Sequence, residues 1–387
     1  MARYAVAQSD EVESGPAGAA LGKQLLDGLA GESPDAVIVF ASARYEHPDL
    51  LHALQATARP GAMVGASSAG EFTSDVPHEH SACAVGIVAP EMRFAAALGR
   101  GITADARAAA EEVTRGFRGL DGQIYPYRTA LVLTDALAGH AETLVERITL
   151  RTGGSYQLVG GGAGDDARFH RTHVFCGVEA VEDAVVALEI LSEKPLGIGL
   201  EHGWRPASAG LRVTSAEGTR LISLNAVPAV QAFEDHAAAT GQQFDPEQPL
   251  SFFLHNVLGI DTGFGHKLRV PLSIGPDGSV NCAAEVPVGA TVNIMSATAG
   301  PAEAAECAVG SALGQLGNHQ PGAALFFDCV ATRLRIGRDF GIELGAIQQA
   351  LGNAPFAGCN TYGQIARADG QFSGFHNCTA VVCVLPR

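Results

Sequence analysis

The chain of 387 residues is 47% hydrophobic, only 17% charged, and contains 47 glycines. A typical chain carries roughly a quarter charged residues, so this composition describes a globular protein with extensive buried surface, long enough for two domains or two closely packed halves. A net charge of −16 with no extended Lys/Arg cluster argues against a nucleic-acid groove, which needs a basic stripe.

The segment Met1 to Gln8 lacks the apolar core of a signal peptide. No apolar run reaches the ~20 residues of a membrane span, so no membrane insertion is expected. Eight cysteines without a CxxC spacing do not resemble a secreted disulfide framework. A cytoplasmic protein with reduced thiols is expected.

A short strand at residues 4–7 precedes a helix over 20–29, which Gly31 and Pro34 break. An apolar strand (35–40) and a helix (49–58) then lead into Val64-Gly65-Ala66-Ser67-Ser68-Ala69-Gly70-Glu71. The plan returns twice. Strand 129–134 and helix 141–152 lead to Val159-Gly160-Gly161-Gly162-Ala163-Gly164-Asp165-Asp166, and strand 323–328 and helix 342–352 to Ala357-Gly358-Cys359-Asn360-Thr361-Tyr362-Gly363-Gln364. Each unit reads strand, helix, strand, Gly-rich turn, strand, and three copies point to duplication. The expected fold class is α/β, with repeated units forming mixed sheets under packed helices.

Between the copies, residues 75–80 read as a polar loop. Its His78 and His80 are two metal donors where a competent site needs three or four. Residues 81–88 and 93–99 read as a hairpin around Pro90, and residues 172–176 as a hairpin with 185–191. Residues 211–224 alternate and turn at Glu217-Gly218. Pro228 opens a helix, residues 252–254, 266–272, 280–286 and 291–296 are strand-like, and 301–316 is a helix. No Pro/Ser-rich linker interrupts the seam near 219–226, so a domain of residues 1–222 is expected to pack broadly on one of 223–387.

The turn Gly161-Gly162-Ala163-Gly164-Asp165, the corner Gly203-Trp204-Arg205-Pro206 with Val213-Thr214, and Pro228-Ala229 resemble the N-terminal FIST domain and its junction. The closing run Thr361-Tyr362-Gly363-Gln364-Ile365, followed by Phe375-His376-Asn377-Cys378-Thr379, resembles the signature of the C-terminal FIST domain. The resemblance spans nearly the whole chain. It implies a sensory module for signal transduction whose ligand is an amino acid or similar metabolite, or haem, and through haem nitric oxide. Output would pass to a separately encoded sensor histidine kinase of a two-component system or to a cyclic-nucleotide signalling enzyme. The family commonly has glutamine where Cys378 stands, and a thiol there is softer and suits metal, haem or redox chemistry.

On this reading the candidate ligand-binding residues are Gly161, Gly162, Ala163, Gly164, Asp165, Asp166, Tyr362, Gln364, His376 and Asn377, with His376 and Cys378 as candidate haem ligands. The turn at 161–166 offers backbone N–H groups to an anion, while Asp165 and Asp166 are placed either to receive an ammonium group or to cap backbone donors. No Lys-Ser/Thr follows, so it is not a Walker A loop. Extended geometry puts Tyr362 and Gln364 on one side, and His376 and Cys378 on one face with Asn377 opposite. The expected pocket lies between the halves, bordered by 161–166 and by Tyr362, Gln364, His376 and Cys378. An enzyme is the weakest reading. Ala66 and Ala69 flank Ser67-Ser68, against a Gly-x-Ser-x-Gly elbow, leaving a thiol-dependent couple of Cys359 and His376. Cys329, Cys359, Cys378 and Cys383 are spaced irregularly for structural zinc, yet proximity in space would permit a metal or redox switch. A homodimer is compatible with all of this.

Overall fold

The structure, a computed structural model, describes residues 1–74, 76–78, 80–120, 122, 125–298, 300–368 and 374–387. Its first unit comprises β1 (Arg3–Ser9), α1 (Ser14–Gly28), β2 (Ala36–Ser42), α2 (His47–Ala58), β3 (Ala62–Ser68), the small hairpin β4 (Glu71–Thr73) and β5 (Val76–His78), and β6 (Ala82–Val88). The second runs through β7 (Met92–Arg100), α3 (Ile102–Arg115), β8 (Tyr127–Thr134), α4 (Ala141–Arg151), β9 (Gln157–Gly162), the hairpin β10 (Val174–Cys176) and β11 (Glu179–Val181), and β12 (Ala184–Ser192). The third starts at β13 (Gly197–Glu201) and is then interrupted.

The interruption is a sheet of its own. It contains β14 (Trp204–Pro206), β15 (Leu211–Glu217), β16 (Arg220–Leu224), β17 (Val227–Pro228), α5 (Ala229–Thr240), α6 (Leu250–Phe253), β18 (Asn256–Asp261), β19 (His266–Arg269), β20 (Pro271–Ile274), β21 (Val280–Cys282) and β22 (Thr291–Ala297). The third unit resumes with α7 (Pro301–Gln315), β23 (Pro321–Cys329), α8 (Val330–Ile336), α9 (Phe340–Leu351), β24 (Phe356–Thr361), the hairpin β25 (Gln364–Arg367) and β26 (Gly374–His376), and β27 (Ala380–Pro386).

Each unit forms the same sheet. A first strand pairs with the last, the last is antiparallel to the second, and the second is parallel to the third, giving β1-β6-β2-β3, β7-β12-β8-β9 and β13-β27-β23-β24. The hairpin after each Gly-rich turn leaves its own unit. β4 pairs with β24, β10 with β3, and β25 with β9. The three units thus lend an edge hairpin around a closed cycle, and each third-strand edge is covered by a neighbour, as an exposed edge demands.

Alternation along the strands explains the layers. In β2, Ile38 and Phe40 join a central cluster with Leu131 and Leu133 of β8 and with Leu325 and Phe327 of β23. Val37, Val39 and Ala41 face the other way, against Leu21 and Leu25 of α1 and Leu50, Leu51 and Leu54 of α2. Strands buried on both faces read as continuous apolar runs, which is why these segments were conspicuous in sequence. Phe40 and Phe327 meet edge to face across units, centroids 5.7 Å apart. α2 starts with Pro48 in its first turn and stops where Arg59 takes a left-handed conformation (φ 51).

One glycine position is common to all three third strands. A Cβ on Gly65, Gly160 or Gly358 would overlap the carbonyl oxygen of Val39, Val132 or Phe326 on the adjoining parallel strand, so only a residue without a side chain allows the sheet to close there.

Several local expectations change. Strands β6 and β7 do not form a hairpin around Pro90; they diverge into different sheets, β6 beside β1 and β2 and β7 beside β12. Residues 172–176 pair with β11 and β3 rather than with 185–191, because β12 is held between β7 and β8. Residues 76–78 are strand β5, not loop, and residues 250–253 are a helical turn whose Phe252 and Phe253 pack on Phe244 and Phe233. The 211–224 hairpin is as read, with Glu217 opposite Arg220.

The inserted sheet is tied to the second unit by ions. Arg269, 1% exposed, donates from Nη2 to Glu142 of α4 at 2.8 Å and from Nη1 to the Phe375 carbonyl at 3.0 Å. Lys267 adds a second bond to Glu142 at 2.8 Å. No helix among the described residues is long and apolar enough to cross a membrane.

Substituting the recurrent glycine tests the duplicated geometry. Gly160→Ala should lose roughly 2–4 kcal/mol in urea unfolding, through overlap with Val132 and a φ of 143°. Gly310→Ala in α7, with open space around it, should gain up to about 1 kcal/mol. Equal effects from the two would contradict the close approach.

Candidate functional site

The three Gly-rich turns converge and bond to one another. Ala69 N–H donates to the Asn360 carbonyl (2.9 Å) and Asn360 N–H to the Gly70 carbonyl (2.8 Å). Tyr362 N–H donates to Gly162 (3.0 Å) and Gly162 N–H to Gly363 (2.8 Å). Gly164 and Asp166 N–H close the cycle on the Ser67 and Ser68 carbonyls, at 2.9 and 3.0 Å. The Gly162, Gly164 and Asp166 N–H groups that sequence offered to an anion are therefore spent in this ring, and that of Ala163 goes to the Thr134 carbonyl at 2.8 Å.

Asp165 is structural. Its carboxylate accepts from the N–H groups of Phe169 (2.8 Å), His170 (2.6 Å) and Arg171 (2.8 Å), and from the Tyr362 hydroxyl. Burial opposes the charge, but the Tyr362 hydroxyl and these backbone donors outweigh it and hold the carboxyl below its usual range. It caps backbone donors rather than receiving an ammonium group. Phe169 stacks on Tyr362 at 4.4 Å and 12°, completing a latch between the second and third turns.

Asp166 differs. Held at φ 54°, it turns its carboxylate toward the Ser42 hydroxyl (2.9 Å), with Arg168 at 3.7 Å and His80 at 3.8 Å. It lines a cavity of about 730 Å³ together with Ala69, Gly70, His80, Val330, Arg333 and Arg338. Exposed Leu334, Gly337 and Arg338 on its rim open it to solvent. Arg333 Nη1 is braced by the Ala69 carbonyl at 2.9 Å, and Gly70 (φ 136) leaves the room that guanidinium occupies. A second cavity, about 420 Å³, borders α8 as well and shares Val330 and Leu334 with the first. Tyr362, Phe169 and Leu137 wall it from one side, Leu250, Leu254, Val270 and Leu272 of the inserted sheet from another, and Cys329 from α8's start.

The other sequence candidates do not gather around one cavity. Gly161 pairs with Gln364, and Gln364 with His376, inside one sheet. Tyr362 and Gln364 do not share a side, because the chain bends at 362–363. Tyr362 faces the cavity, while Gln364, fully buried, bonds Thr361 at 2.8 Å. His376 and Cys378 do not share a face either, since β26 ends at His376 and Cys378 turns through φ 47°. His376 is 2% exposed, its Nε2 has no hydrogen-bond partner among the described residues, and burial with the Lys267 and Arg269 charges keeps it neutral, well below the usual histidine range. It lines neither large cavity. Cys378 packs on Cys329. Haem needs an imidazole or thiolate facing a void the size of the macrocycle, and these residues do not provide one. Asn377 does border the second cavity. Burial pushes the Cys359 thiol well up, helped by Cys83 and Glu71, the reverse of what a nucleophile requires. The side chain of His78 lies outside the described residues. Among the described residues no group of three or more His, Cys, Asp or Glu is placed to hold a metal.

Sequence reasoning missed Arg333 and Arg338. Their signal was present: Arg333, Arg335 and Arg338 stand within six positions in a chain of only 25 Lys and Arg.

The fold and site define a chain of three edge-swapped α/β units with an inserted sheet and a cavity at their convergence. Two family models match it, the FIST N domain over residues 35–227 and the FIST C domain over 229–367. The chain belongs to the FIST family, whose domains are associated with sensing small ligands in signal transduction. No curated protein matches it. Among solved structures it has distant likeness to a cyanuric acid hydrolase from A. caulinodans (9% identity, 100% of this chain and 99% of that one, TM-score 0.33). A second is PurLQS from Thermotoga maritima (11% identity, 100% and 72%, TM-score 0.24). Neither is close enough to inform function.

A pH experiment tests the electrostatics beside the site. Burial pushes Glu343 up to about 8 and Glu71 up to about 7, and Asp328 is likewise raised by burial and by Glu343. All three favour the protonated form when folded, so their contribution is full below the unfolded carboxyl values and is lost as pH rises through the folded ones. Unfolding free energy should therefore fall as pH rises from about 4.5, the ordinary carboxyl value, to about 8, and level off above it. Glu343→Gln should make the fall between about pH 5 and 8 shallower, by roughly 1–3 kcal/mol over that range. Parallel profiles for the two proteins would refute the buried acid.

Proposed function

We propose that this protein is a small-ligand sensor whose ligand is a zwitterion of the amino-acid class, held in the 730 Å³ cavity. The observation that carries this reading is the charge pattern of that cavity, with Arg333 and Arg338 on the α8 side and Asp166 opposite. Guanidinium groups suit a carboxylate by paired N–H donation, and the Asp166 carboxylate suits an ammonium group. Apolar Ala69, Val330 and Phe340 between them leave space for a side chain. Concave sites with a few convergent polar groups are the usual form of such pockets.

Haem, and nitric oxide sensing through it, gains no support from the surroundings of His376 and Cys378. The output on this reading is a change at the α8 wall, read by a histidine kinase or cyclic-nucleotide enzyme of the kind the family resemblance implies.

Calorimetry and thermal shift with a panel of amino acids test it. A ligand that binds only the native state adds RT ln(1 + [L]/Kd), about 2.7 kcal/mol at a hundredfold excess over Kd. Arg338→Ala and Asp166→Asn should each weaken binding about tenfold or more, while folding is retained by circular dichroism. No heat and no shift with any amino acid at millimolar concentration would overturn the reading.

A further inference from the structure

The second cavity ends on a thiol pair that the zwitterion reading does not use. Cys329 and Cys378 are 49 positions apart, at 3% and 4% exposure, and pack together with Trp204, Val257, Leu268, Val270 and Met295. Cys329 is the last residue of β23 and forms part of the wall of the 420 Å³ cavity. The Cys378 thiol and the Cys378 and Ala331 N–H groups lie near enough to favour the Cys329 thiolate. These donors bring Cys329 down to about 6 and leave Cys378 well above the usual thiol range. The remaining buried cysteines lack such donors in number. Burial alone pushes Cys383 up to about 12, and Cys282 is pushed up to about 12 by burial as well. A nucleophilic sulfur, a second sulfur in contact with it, and an apolar chamber opening onto the first are the parts of a dithiol that reacts in two steps.

We propose that Cys329 and Cys378 are a peroxide-reacting pair, Cys329 the attacking thiol and Cys378 the resolving one, with an organic hydroperoxide admitted through the apolar cavity. The Cys329 thiolate attacks the terminal peroxide oxygen. The O–O bond breaks, the alkoxide takes the proton that the thiol released and leaves as an alcohol, and Cys329 becomes a sulfenic acid. The Cys378 sulfur then attacks the Cys329 sulfur, the S–O bond breaks, and water leaves with the Cys378 proton. The net change is two thiols and one hydroperoxide converted to a disulfide, an alcohol and water. The chamber walls favour an alkyl hydroperoxide over hydrogen peroxide, because Leu250, Leu254, Val270 and Leu272 meet the alkyl group.

The bond would fasten the start of α8 to the turn between β26 and β27. Val330 and Leu334 of α8 wall both cavities, so a constraint at Cys329, the residue immediately before the helix, reaches the larger one. The thiol chemistry itself stands without any ligand there.

The test uses the reduced full-length chain treated with one equivalent of cumene hydroperoxide, then alkylated and mapped by mass spectrometry. The expected product is a Cys329–Cys378 linked peptide, with a loss of two titratable thiols per chain. Cys378→Ser should instead accumulate dimedone-trapped sulfenic acid at Cys329, and Cys329→Ser should form no link and consume peroxide at least tenfold more slowly. Cys383→Ser should behave as wild type, and hydrogen peroxide should react more slowly than cumene hydroperoxide. The wild-type map decides the matter even if a variant fails to fold. Absence of the 329–378 link, or oxidation confined to exposed Cys307, overturns the proposal.

Discussion

The closed cycle of exchanged hairpins is the constraint on which the rest depends. Every unit has a third strand whose outer edge would be bare, and every unit supplies the hairpin that covers another unit's edge. Removing any one hairpin exposes backbone donors and acceptors in a different unit, so the three units fold as one body. The exchange also dictates where the turns go. A chain leaving one sheet to join another must cross the space between them, and three such crossings meet at one place.

That meeting place has little freedom left for side chains of any size. The ring of backbone hydrogen bonds draws the turns close, and small residues, Ala69, Gly70, Gly162 and Gly164, are what fit. Asp165 and Tyr362 lock the second turn to the third, each satisfying groups that burial would otherwise leave unpaired. Beside Gly70 and Asp166 the larger cavity opens, and α8 and the residues after it supply Arg333 and Arg338 to its wall. The most conspicuous glycine motif thus spends its backbone donors chiefly on holding the turns together.

The inserted sheet gives the third unit its asymmetry. It sits between β13 and α7, anchored through Arg269 and Lys267 to Glu142, and brings an apolar wall toward α8. The two chambers flanking α8 differ in character for this reason. One faces the turns and carries opposite charges, while the other faces the insertion and carries a thiol. Val330 and Leu334 of this short helix border both chambers.

Apolar runs, glycine punctuation and the threefold recurrence were legible in the sequence, because strand burial and turn geometry are local demands written residue by residue. Which face each residue takes was not, because Ala36–Ser42 is buried throughout, and only packing sends Ile38 and Phe40 to the central cluster and Val37 and Val39 against the helices. Pairing partners were not legible. β6 and β7 look like a hairpin because nearness in sequence favours it, yet the apolar edges that each could join are alike in composition, and only closure of the whole cycle selects among them. The site was half legible for the same reason. Tyr362 meets Asp165 as the proximity of the motifs suggested, but extended geometry misplaced Gln364, His376 and Cys378, since a bend at 362–363 and a left-handed Cys378 break the alternation. Arg333 and Arg338 acquire meaning only when β23 and α8 fold against turns more than 150 residues earlier. Asp166, which borders the same cavity, is set apart from its neighbour Asp165 by tertiary structure, because backbone donors claim the Asp165 carboxylate and leave that of Asp166 to Ser42, Arg168 and His80.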